Sequence, residues 1–292
     1  MLKNKCFEFL SCPIDGSDMV SLGKSVCCVN KHSFDVSKEG YINMLTSDKR
    51  FKQKIGDVKD MLLARSNFLQ SGYYNFLSEE INKIAIRYLQ NNNNKDGCIL
   101  EVGCGTAFYL KRLKDNIDND LKKEFCYFGT DISKEAIKIS AKKYKDINFI
   151  VADTYFKIPI KNKTVKIILN IFSPRNPEEF SRLLDDKGII ITVIPNENHL
   201  NELIEKFGLV KVEQEKKKHL MDALDGQFDK IEDYNFTKKI SLKSNSIIDL
   251  IKMGPSYKCL NDKKIINIKN MNKNLLEVTA SFNILVFVSK SR

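Results

Sequence analysis

The chain has 292 residues, of which 42% are hydrophobic and 29% charged, and its formal net charge is +11. A hydrophobic share of this size can bury a core, which excludes a disordered or collagen-like chain. No apolar run approaches the roughly 18 residues that a membrane-spanning helix needs, and the opening residues are too few and too polar for a signal peptide. We therefore expect no membrane partner and a cytoplasmic location, where the eight cysteines would be thiols or metal ligands.

The positive charge permits binding to nucleic-acid phosphates but does not establish it. Most of the 48 basic residues are lysine, and asparagine is also abundant. A genome-wide codon bias would explain both frequencies, so charge alone leaves the partner open.

Residues 1–48 are predicted to form a small metal-binding module. Cys12 and Asp15 are separated by two residues, and Cys28 and His32 by three. Pairs at these spacings can bring two side chains from one turn to a single tetrahedral ion. We predict a zinc knuckle with Cys12, Asp15, Cys28 and His32 as ligands.

Asp15 is the unusual member of this set, because a carboxylate is a harder donor than a thiolate and is rarer in structural zinc sites. Cys27 or Cys6 could take its place as the fourth ligand. The alternative to a zinc site is a metal-free knuckle with reduced thiols.

Residues 49–97 are predicted to be a basic connector followed by two helices. The connector, residues 49–54, has Phe51 among basic side chains, which suits either an RNA contact or a solvated loop. Apolar residues at helical spacing predict one helix around 61–69 and a second around 76–89. The polar run at 91–97 is interpreted as a loop.

From Cys98 to the C-terminus, strand-like and helix-like segments alternate. Apolar runs predict strands at 98–102, 125–128, 149–151, 165–171, 189–194 and 283–288. Helices are expected from Ser133, a suitable N-cap, to Tyr144 and from Pro177 to Leu184. This order predicts an α/β fold with a mostly parallel sheet covered on both faces, and the last strand is expected at its edge.

The strand at 98–102 ends in a glycine loop, Glu101-Val102-Gly103-Cys104-Gly105-Thr106. Two glycines permit a tight turn and a close approach of backbone to a ligand. The third glycine of the dinucleotide fingerprint is missing, because Phe108 stands in its place. A dehydrogenase-type Rossmann fold is therefore the weaker interpretation.

Two carboxylates follow the next two predicted strands. Asp131 ends the second strand, where an acidic residue can accept both hydroxyls of a ribose, and Asp153 ends the third. The glycine loop with Glu101, Asp131 and Asp153 resembles the class I S-adenosylmethionine-dependent methyltransferases. That resemblance implies that the loop lies under the S-adenosylmethionine, that Asp131 holds its ribose and that Asp153 faces its adenine.

A longer resemblance covers nearly the whole chain. The segment Ser33–Leu45 after the knuckle, the motif from Arg65 to Tyr74, the glycine loop, Asp131–Lys134 and Pro195–Leu200 together resemble the RlmA family. Members of this family methylate N1 of a guanine in hairpin 35 of 23S rRNA. One of the two branches of the family is linked to macrolide resistance. The sequence does not assign this chain to either branch.

The RlmA resemblance implies S-adenosylmethionine as cofactor, a 23S rRNA hairpin as partner and a possible homodimer. It adds Tyr74 and His199 to the cofactor site. The complete set of predicted cofactor-binding residues is Tyr74, Glu101, Gly103, Gly105, Thr106, Asp131, Asp153 and His199. The domains are predicted as a zinc-knuckle-like RNA-recognition module at 1–48, the connector and helices at 49–97, and the methyltransferase domain at 98–292.

The sequence provides no convincing general base for the reaction. Asn170 and Phe172, at the end of the fourth strand, are predicted to line the guanine pocket, with Phe172 stacking on the base. Asn170 could instead only cap its strand. The sequence departs from the family at Asp15 and at Met253–Tyr257. A small-molecule methyltransferase and a non-catalytic RNA-binding relative remain the alternatives.

Overall fold

The computed structural model describes residues 4–46, 56–91, 97–121, 123–271 and 275–290 of the protein. The basic connector at 49–54 and the loop at 92–96 lie outside these ranges. Within them, no helix is both long enough and apolar enough to cross a membrane.

The N-terminal segment forms a small antiparallel sheet. The elements of the whole segment are a 3-10 helix (Asn4–Phe9), β1 (Met19–Ser21), β2 (Ser25–Cys28), β3 (Ser33–Asp35) and β4 (Ile42–Asn43). The first three strands pair in chain order, β1 with β2 and β2 with β3. Leu10, Val26 and Ile42 share one hydrophobic cluster with Phe128 and Ile150, so this segment packs against the rest of the protein.

Two helices follow, as the apolar spacing predicted: α1 (Lys59–Gln70) and α2 (Asn75–Asn91). Leu62 and Phe68 of α1 and Leu77 and Ile81 of α2 are fully buried. Both helices bury one face because their apolar residues recur every three or four positions.

The methyltransferase-like region continues with alternating strands and helices. They are β5 (Cys98–Val102), α3 (Phe108–Asp120), β6 (Cys126–Asp131), α4 (Lys134–Lys143), β7 (Asn148–Val151), β8 (Val165–Ile171), α5 (Pro177–Leu183) and β9 (Leu184–Pro195). Ser133 caps α4 as predicted, since its Oγ accepts a hydrogen bond from the N–H of Ala136. Pro177 occupies the first turn of α5.

The C-terminal part adds helices and a long hairpin to the sheet. Its elements are α6 (Asn201–Phe207), α7 (Lys216–Leu224), β10 (Phe228–Leu242), α8 (Ser244–Lys252), a 3-10 helix (Pro255–Cys259), α9 (Asp262–Lys269) and β11 (Leu276–Ser289).

Among the described residues, eight strands form the main sheet in the order β10-β11-β9-β8-β5-β6-β7-β4. The strands from β9 to β4 pair in parallel, whereas β10 and β11 are antiparallel additions. The mostly parallel α/β architecture is therefore confirmed.

The expected edge position of the last strand is wrong. β11 is an interior strand, buried on both faces between β9 and β10, and β10 forms the edge. β10 was not predicted because most of its residues are exposed or half-buried and polar. A solvated edge strand has no apolar run to reveal it.

The expectation that all cysteines are thiols or metal ligands is wrong for one pair. Cys6 and Cys126 form a disulfide that links the first 3-10 helix to the beginning of β6. The two residues are 120 positions apart in the chain. Their pairing depends on the packing of the N-terminal segment against the sheet, which sequence spacing does not encode.

Candidate functional site

The four predicted metal ligands lie together in the N-terminal segment. The ligand atoms of Cys12, Asp15, Cys28 and His32 are all within 4.8 Å of one another. The Nδ1 atom of His32 lies 3.5 Å from Cys12 Sγ, 3.4 Å from Cys28 Sγ and 3.1 Å from Asp15 Oδ2. Two thiols, one imidazole and one carboxylate at this separation fit a tetrahedral zinc ion.

Two short turns bring these donors together. In the first, the Gly16 N–H donates to the carbonyl of Cys12, and Gly16 has a φ of +82°. In the second, the Lys31 N–H donates to the carbonyl of Cys28, and Lys31 has a φ of +66°. Each turn reverses the chain so that two donors point to the same side, as knuckle spacings require.

The structure places Asp15, rather than Cys27 or Cys6, beside the other three donors. Asp15 Oδ1 accepts hydrogen bonds from the backbone and hydroxyl of Ser17, which are the main reason that its pKa is well below the usual range. Its Oδ2 is 3.7 Å from Cys28 Sγ. The thiol of Cys27 instead lies 3.1 Å from Ser33 Oγ, and Cys6 is in the disulfide.

The glycine loop follows β5 and is held against the end of β8. Gly103 and Gly105 have φ values of +67° and +50°, in the left-handed region that favours glycine. A Cβ on Gly103 would lie 2.5 Å from Ser173 Cβ. The loop therefore needs glycine there for its close approach to the turn after β8.

Asp131, at the end of β6, fixes the glycine loop from the other side. Its Oδ2 accepts a hydrogen bond from the Gly105 N–H at 2.8 Å, and its Oδ1 accepts one from the Ser133 N–H at 2.8 Å. Burial raises the pKa of Asp131, and these two hydrogen bonds oppose the shift. Each oxygen keeps a lone pair that can accept a hydroxyl of a ribose.

Glu101 lies beneath the loop and is almost fully buried. Burial raises its pKa to about 8, the N–H of Leu110 opposes that shift, and nearby Asp131 adds to it. The Leu110 N–H donates to Glu101 Oε2 at 3.2 Å. Glu101 therefore anchors the first turn of α3 to the strand that carries the loop.

Arg65 of α1 lies over the glycine loop, and sequence reasoning did not assign it to the site. A Cβ on Gly105 would be 3.0 Å from Arg65 Nη1. The same nitrogen forms an ion pair with Asp57, and Nη2 donates to the carbonyl of Met253 at 2.9 Å. Only the tertiary fold brings α1 and the end of α8 to this loop.

An aromatic cluster surrounds Tyr74 and His199, the two residues predicted from family resemblance alone. The ring of Phe282, on β11, lies 5.1 Å from Tyr74, 4.7 Å from His199 and 5.5 Å from Phe172, measured between centroids. Tyr74 and His199 are 6.4 Å apart. Phe282 was missed because it lies inside an apolar strand, where nothing in the sequence separates it from ordinary core.

His199 is held in one neutral tautomer. The Ser281 N–H donates to its Nδ1 at 3.1 Å, so the ring proton is on Nε2. Burial lowers the pKa of His199 to about 4. At neutral pH this imidazole can donate a hydrogen bond from Nε2, and it has no free ring nitrogen with which to accept a proton.

The remaining predicted cofactor residues lie along the same edge of the sheet. Asp153 follows β7, which pairs in parallel with β6, and Asp153 Oδ1 accepts a hydrogen bond from the Tyr155 N–H at 2.9 Å. Thr106 continues the glycine loop and is buried. Asp131 and Asp153 are therefore neighbours at the carboxyl ends of adjacent strands, as the sequence indicated.

The turn after β8 connects the glycine loop with the predicted guanine pocket. Asn170 Nδ2 donates to Ser173 Oγ at 2.7 Å and to the Pro174 carbonyl at 2.8 Å. Ser173 Oγ donates to the Val102 carbonyl at 2.7 Å. The amide nitrogen of Asn170 thus stabilises the turn, while its Oδ1 is buried and accepts no hydrogen bond from the described residues.

Phe172 in this turn has a strained backbone and an exposed ring. Its φ is +52°, which is rare for an aromatic residue, and 46% of it is exposed. Such strain persists only where the surroundings impose it, and it concentrates at functional sites. An exposed ring beside the glycine loop is suited to stacking on a planar base.

The residues around the glycine loop fit S-adenosylmethionine. The hydroxyls of Tyr74 and Tyr109 are buried and have no hydrogen-bond partner among the described residues. Asp131, whose carboxylate is held against the loop, offers acceptors for a ribose. Aromatic rings such as that of Tyr74 attract a sulfonium cation through their faces.

Two family models match the chain. One, described as "RlmA, N-terminal", a zinc ribbon, matches residues 10–51, and one described as "Methyltransferase domain" matches residues 99–188. The first match contains the four clustered metal donors. The second contains the glycine loop, Asp131 and the turn after β8.

Curated relatives match much more of the chain. The 23S rRNA (guanine(748)-N(1))-methyltransferase of Streptomyces fradiae is 29% identical over 255 residues, which are 87% of this chain and 88% of the relative. A Bacillus subtilis protein, YxjB, provisionally named as a 23S rRNA (guanine-N(1)-)-methyltransferase, is 32% identical over 200 residues, 68% of each chain. A Micromonospora griseorubida protein with the same provisional description is 28% identical over 261 residues, 85% of this chain and 86% of that protein.

Proposed function

The chain belongs to the RlmA-type family of 23S rRNA (guanine-N1)-methyltransferases, and from that premise we propose that its target is a guanine in hairpin 35 of 23S rRNA. It is an S-adenosylmethionine-dependent enzyme of the class I fold with an N-terminal zinc ribbon. The Streptomyces relative is named for guanine 748. That position is therefore the first one to test.

One contact supports methyl transfer to a base at this site more than any other. Ser173, in the turn that carries Phe172, donates to the Val102 carbonyl and lies directly against Gly103. The turn proposed for the target base and the loop proposed for the methyl donor therefore touch each other. Methyl transfer requires the two reacting atoms to be held close together, and such positioning supplies a large share of an enzymatic rate.

Different residues around the glycine loop are proposed to bind different parts of the cofactor. When bound, S-adenosylmethionine supplies a methyl group whose carbon is made electrophilic by a sulfonium. Asp131 would accept hydrogen bonds from the ribose, and Asp153 would face the adenine. Arg65 and Asp57, paired above Gly105, match the carboxylate and ammonium groups of an amino acid.

Aromatic residues are proposed to receive both the sulfonium and the base. Tyr74 and His199, grouped by Phe282, would line the sulfonium side, where His199 is neutral and so does not repel a cation. Phe172 would stack on the guanine, which must leave its helix to reach the turn. The Oδ1 of Asn170 is the acceptor that this turn leaves unused.

The zinc ribbon is proposed to recognise the folded RNA hairpin, within a proposed division into residues 1–48, the connector and helices at 49–97 and the methyltransferase domain at 98–292. Zinc would fix the two knuckle turns through Cys12, Asp15, Cys28 and His32. A ribosomal substrate implies work in the cytoplasm, and a homodimer is proposed from family resemblance alone.

Primer extension across hairpin 35 tests the function. A methyl on N1 blocks Watson–Crick pairing, so reverse transcriptase should stop one nucleotide before the modified guanine. We expect the stop on rRNA from cells with the gene and its absence on rRNA from cells without the gene. Purified protein and labelled S-adenosylmethionine should restore the stop on rRNA from the deletion strain.

A matched RNA control identifies the target. In a hairpin 35 transcript, guanine 748 is replaced by adenine while the other guanines are kept. Loss of label would assign position 748, and retained label would assign a neighbouring guanine of the hairpin. An unchanged stop pattern in cells, with label entering a small metabolite instead, would contradict the rRNA target and favour a small-molecule methyltransferase.

A further inference from the structure

Arg175 lies at the end of the turn that carries Phe172. It directly follows Pro174, whose carbonyl accepts a hydrogen bond from Asn170 Nδ2 at 2.8 Å. Two positions earlier, Ser173 is held against the glycine loop. The backbone of Arg175 is therefore fixed close to the place where base and methyl donor are proposed to meet.

The guanidinium of Arg175 lacks the partners that the other described arginines have. Its Nε is buried, and none of the described residues accepts a hydrogen bond from it. Each of the other arginines among the described residues has an ion-pair partner. Arg65 pairs with Asp57, Arg87 with Glu232, Arg112 with Glu79 and Arg182 with Glu179. Arg175 forms no such pair with any described residue.

An unpaired guanidinium that is largely removed from water is unfavourable for folding. Burial lowers the pKa of Arg175, and attraction to Tyr155, once that phenol is ionised, and to the carboxylate of Glu213 only partly opposes this shift. Tyr155 follows β7 and is mostly exposed, and Glu213 lies between α6 and α7. Neither satisfies the buried Nε, so a strong donor beside this turn has no acceptor among the described residues.

Methylation of guanine N1 creates a need for such a donor. Neutral guanine has a proton on N1, which must leave to water before or as the N1 lone pair bonds to the methyl carbon. The bond between that carbon and sulfur breaks, and its electron pair stays on sulfur. Loss of the proton puts negative charge on N1 and on O6, and no described side chain of the pocket is suited to take that proton.

We propose, on the basis of the proposed function, that Arg175 is a catalytic residue that donates to O6 of the target guanine and stabilises its N1-deprotonated form. Arginine is the side chain that most often contacts guanine O6 and N7, through two donors in one plane. Its charge favours the anion and so lowers the pKa of N1 in the bound base. Water can then accept the proton without a dedicated base.

The same contact gives selectivity for guanine over adenine. Adenine has an amino group where guanine has O6, so it would place a donor against the guanidinium. A phosphate contact by Arg175 would give neither this selectivity nor a change in the pKa of N1. The two roles therefore differ in what they do to the pH dependence of methyl transfer.

The test compares single-turnover methyl transfer to a hairpin 35 transcript by the wild type, Arg175→Met and Arg175→Lys between pH 6 and 9.5. Arg87→Met is the matched control, since it removes the same charge from the surface of α2, where Arg87 pairs with Glu232. Affinities for the transcript and for S-adenosylhomocysteine are measured by filter binding and calorimetry. They report whether each variant is folded.

We expect Arg175→Met to lower the transfer rate about 100-fold at pH 7, the loss typical of removing one donor to a developing oxyanion. The deficit should shrink as pH rises, because a guanine with a higher N1 pKa is deprotonated only at higher pH. Arg175→Lys should keep part of the rate because it keeps the charge. Both affinities should stay within about threefold of the wild type, as should every property of Arg87→Met.

A substrate with inosine at the target position sharpens the assignment. Inosine keeps O6 and the N1 proton and lacks only the 2-amino group. The ratio of wild-type to Arg175→Met rates should therefore be the same on inosine as on guanine. A ratio close to 1 on inosine would mean that the effect of Arg175 depends on the 2-amino group, which overturns the O6 contact.

Two further outcomes would overturn the proposal. A rate deficit constant across the pH range, with weaker RNA binding, would assign Arg175 to a phosphate. An unchanged rate would remove it from the site. Failure of the wild type to methylate any guanine of 23S rRNA is a different result, because it contradicts the proposed function before Arg175 is tested.

Discussion

The zinc cluster and the cofactor site are built in opposite ways. The four metal donors come from two turns within residues 12–32, and each pair is close in sequence. The proposed cofactor site takes residues from α1, three parallel strands, the segment after β9 and the interior of β11. The first site depends on local spacing, whereas the second depends on the packing of the whole sheet.

This difference predicts how each site fails. A metal site made of few donors loses its ion when one thiolate is removed, because folding and binding of such modules are coupled. A cofactor site that shares its contacts among many elements loses affinity in smaller steps. The sites also share little chemistry, so damage to one should leave binding at the other largely intact.

Replacement of a zinc thiolate is expected to have the largest effect. Cys28→Ser should lower the zinc content from near one per chain to near zero, measured by elemental analysis of protein purified without chelators. The two knuckle turns and the strands β1 to β3 should then exchange their amide hydrogens more rapidly, because the turns lose the ion that joins them. Affinity for S-adenosylhomocysteine should change by less than about threefold, since zinc modules fold through their own metal.

Cys27→Ser and Asp15→Ala are the controls for this prediction. Cys27 is outside the cluster, and its thiol contacts Ser33, so its replacement should leave the metal content unchanged. Asp15→Ala removes a clustered oxygen donor and should weaken zinc retention. Loss of zinc from Cys27→Ser with retention in Asp15→Ala would show that the fourth ligand is Cys27.

Removal of the Asp131 carboxylate should have an intermediate effect. Asp131→Ala deletes the proposed acceptor for the ribose and also the acceptor for the N–H groups of Gly105 and Ser133. Charge-assisted hydrogen bonds contribute about 1.5–3 kcal/mol, so affinity for S-adenosylmethionine should fall by about 10- to 150-fold. Calorimetry measures this, and zinc content should stay near one per chain.

Asp131→Asn separates the two roles of this side chain. The amide keeps an oxygen for one backbone N–H and loses the charge, so we expect an affinity between those of the wild type and Asp131→Ala. Equal affinities for all three proteins would remove Asp131 from the cofactor site.

The buried His199 should give a smaller effect, visible as a pH dependence of stability. Its folded pKa is about 4, below the value near 6.5 of an unfolded chain. Above pH 6.5 the imidazole is neutral in both states and pH has no effect through it. As pH falls from 6.5 towards 4, the unfolded chain binds a proton that the folded chain does not, so the free energy of unfolding decreases.

Urea unfolding at pH 7.5 and pH 5 measures this effect. Relative to His199→Gln, the wild type should lose about 2 kcal/mol more between these two pH values. The glutamine can still accept from the Ser281 N–H, so the variant keeps that contact. An equal loss in both proteins would mean that His199 is not buried as a neutral imidazole.

Motif spacing predicted the zinc donors and the glycine loop because both depend on residues close in sequence. Continuous apolar runs that alternate with helical segments predicted the parallel strands from β5 to β9, since strands buried on both faces are continuously apolar. The same reasoning missed β10, which is polar and at the sheet edge, and placed β11 at the edge although it is interior. The pattern of apolar residues indicates which segments are buried, but it does not indicate the order of the strands in the sheet.

The sequence by itself determined the family of the chain and predicted the metal donors and the glycine loop with Asp131 as a cofactor site. Only the tertiary structure brought Arg65 over Gly105, grouped Tyr74 with His199 around Phe282, joined Cys6 to Cys126 and left Arg175 without a partner among the described residues. The physical reason is the range of the interactions involved. Hydrogen bonds within a turn are fixed by neighbouring residues, whereas burial and pairing across the sheet depend on which distant segments pack together.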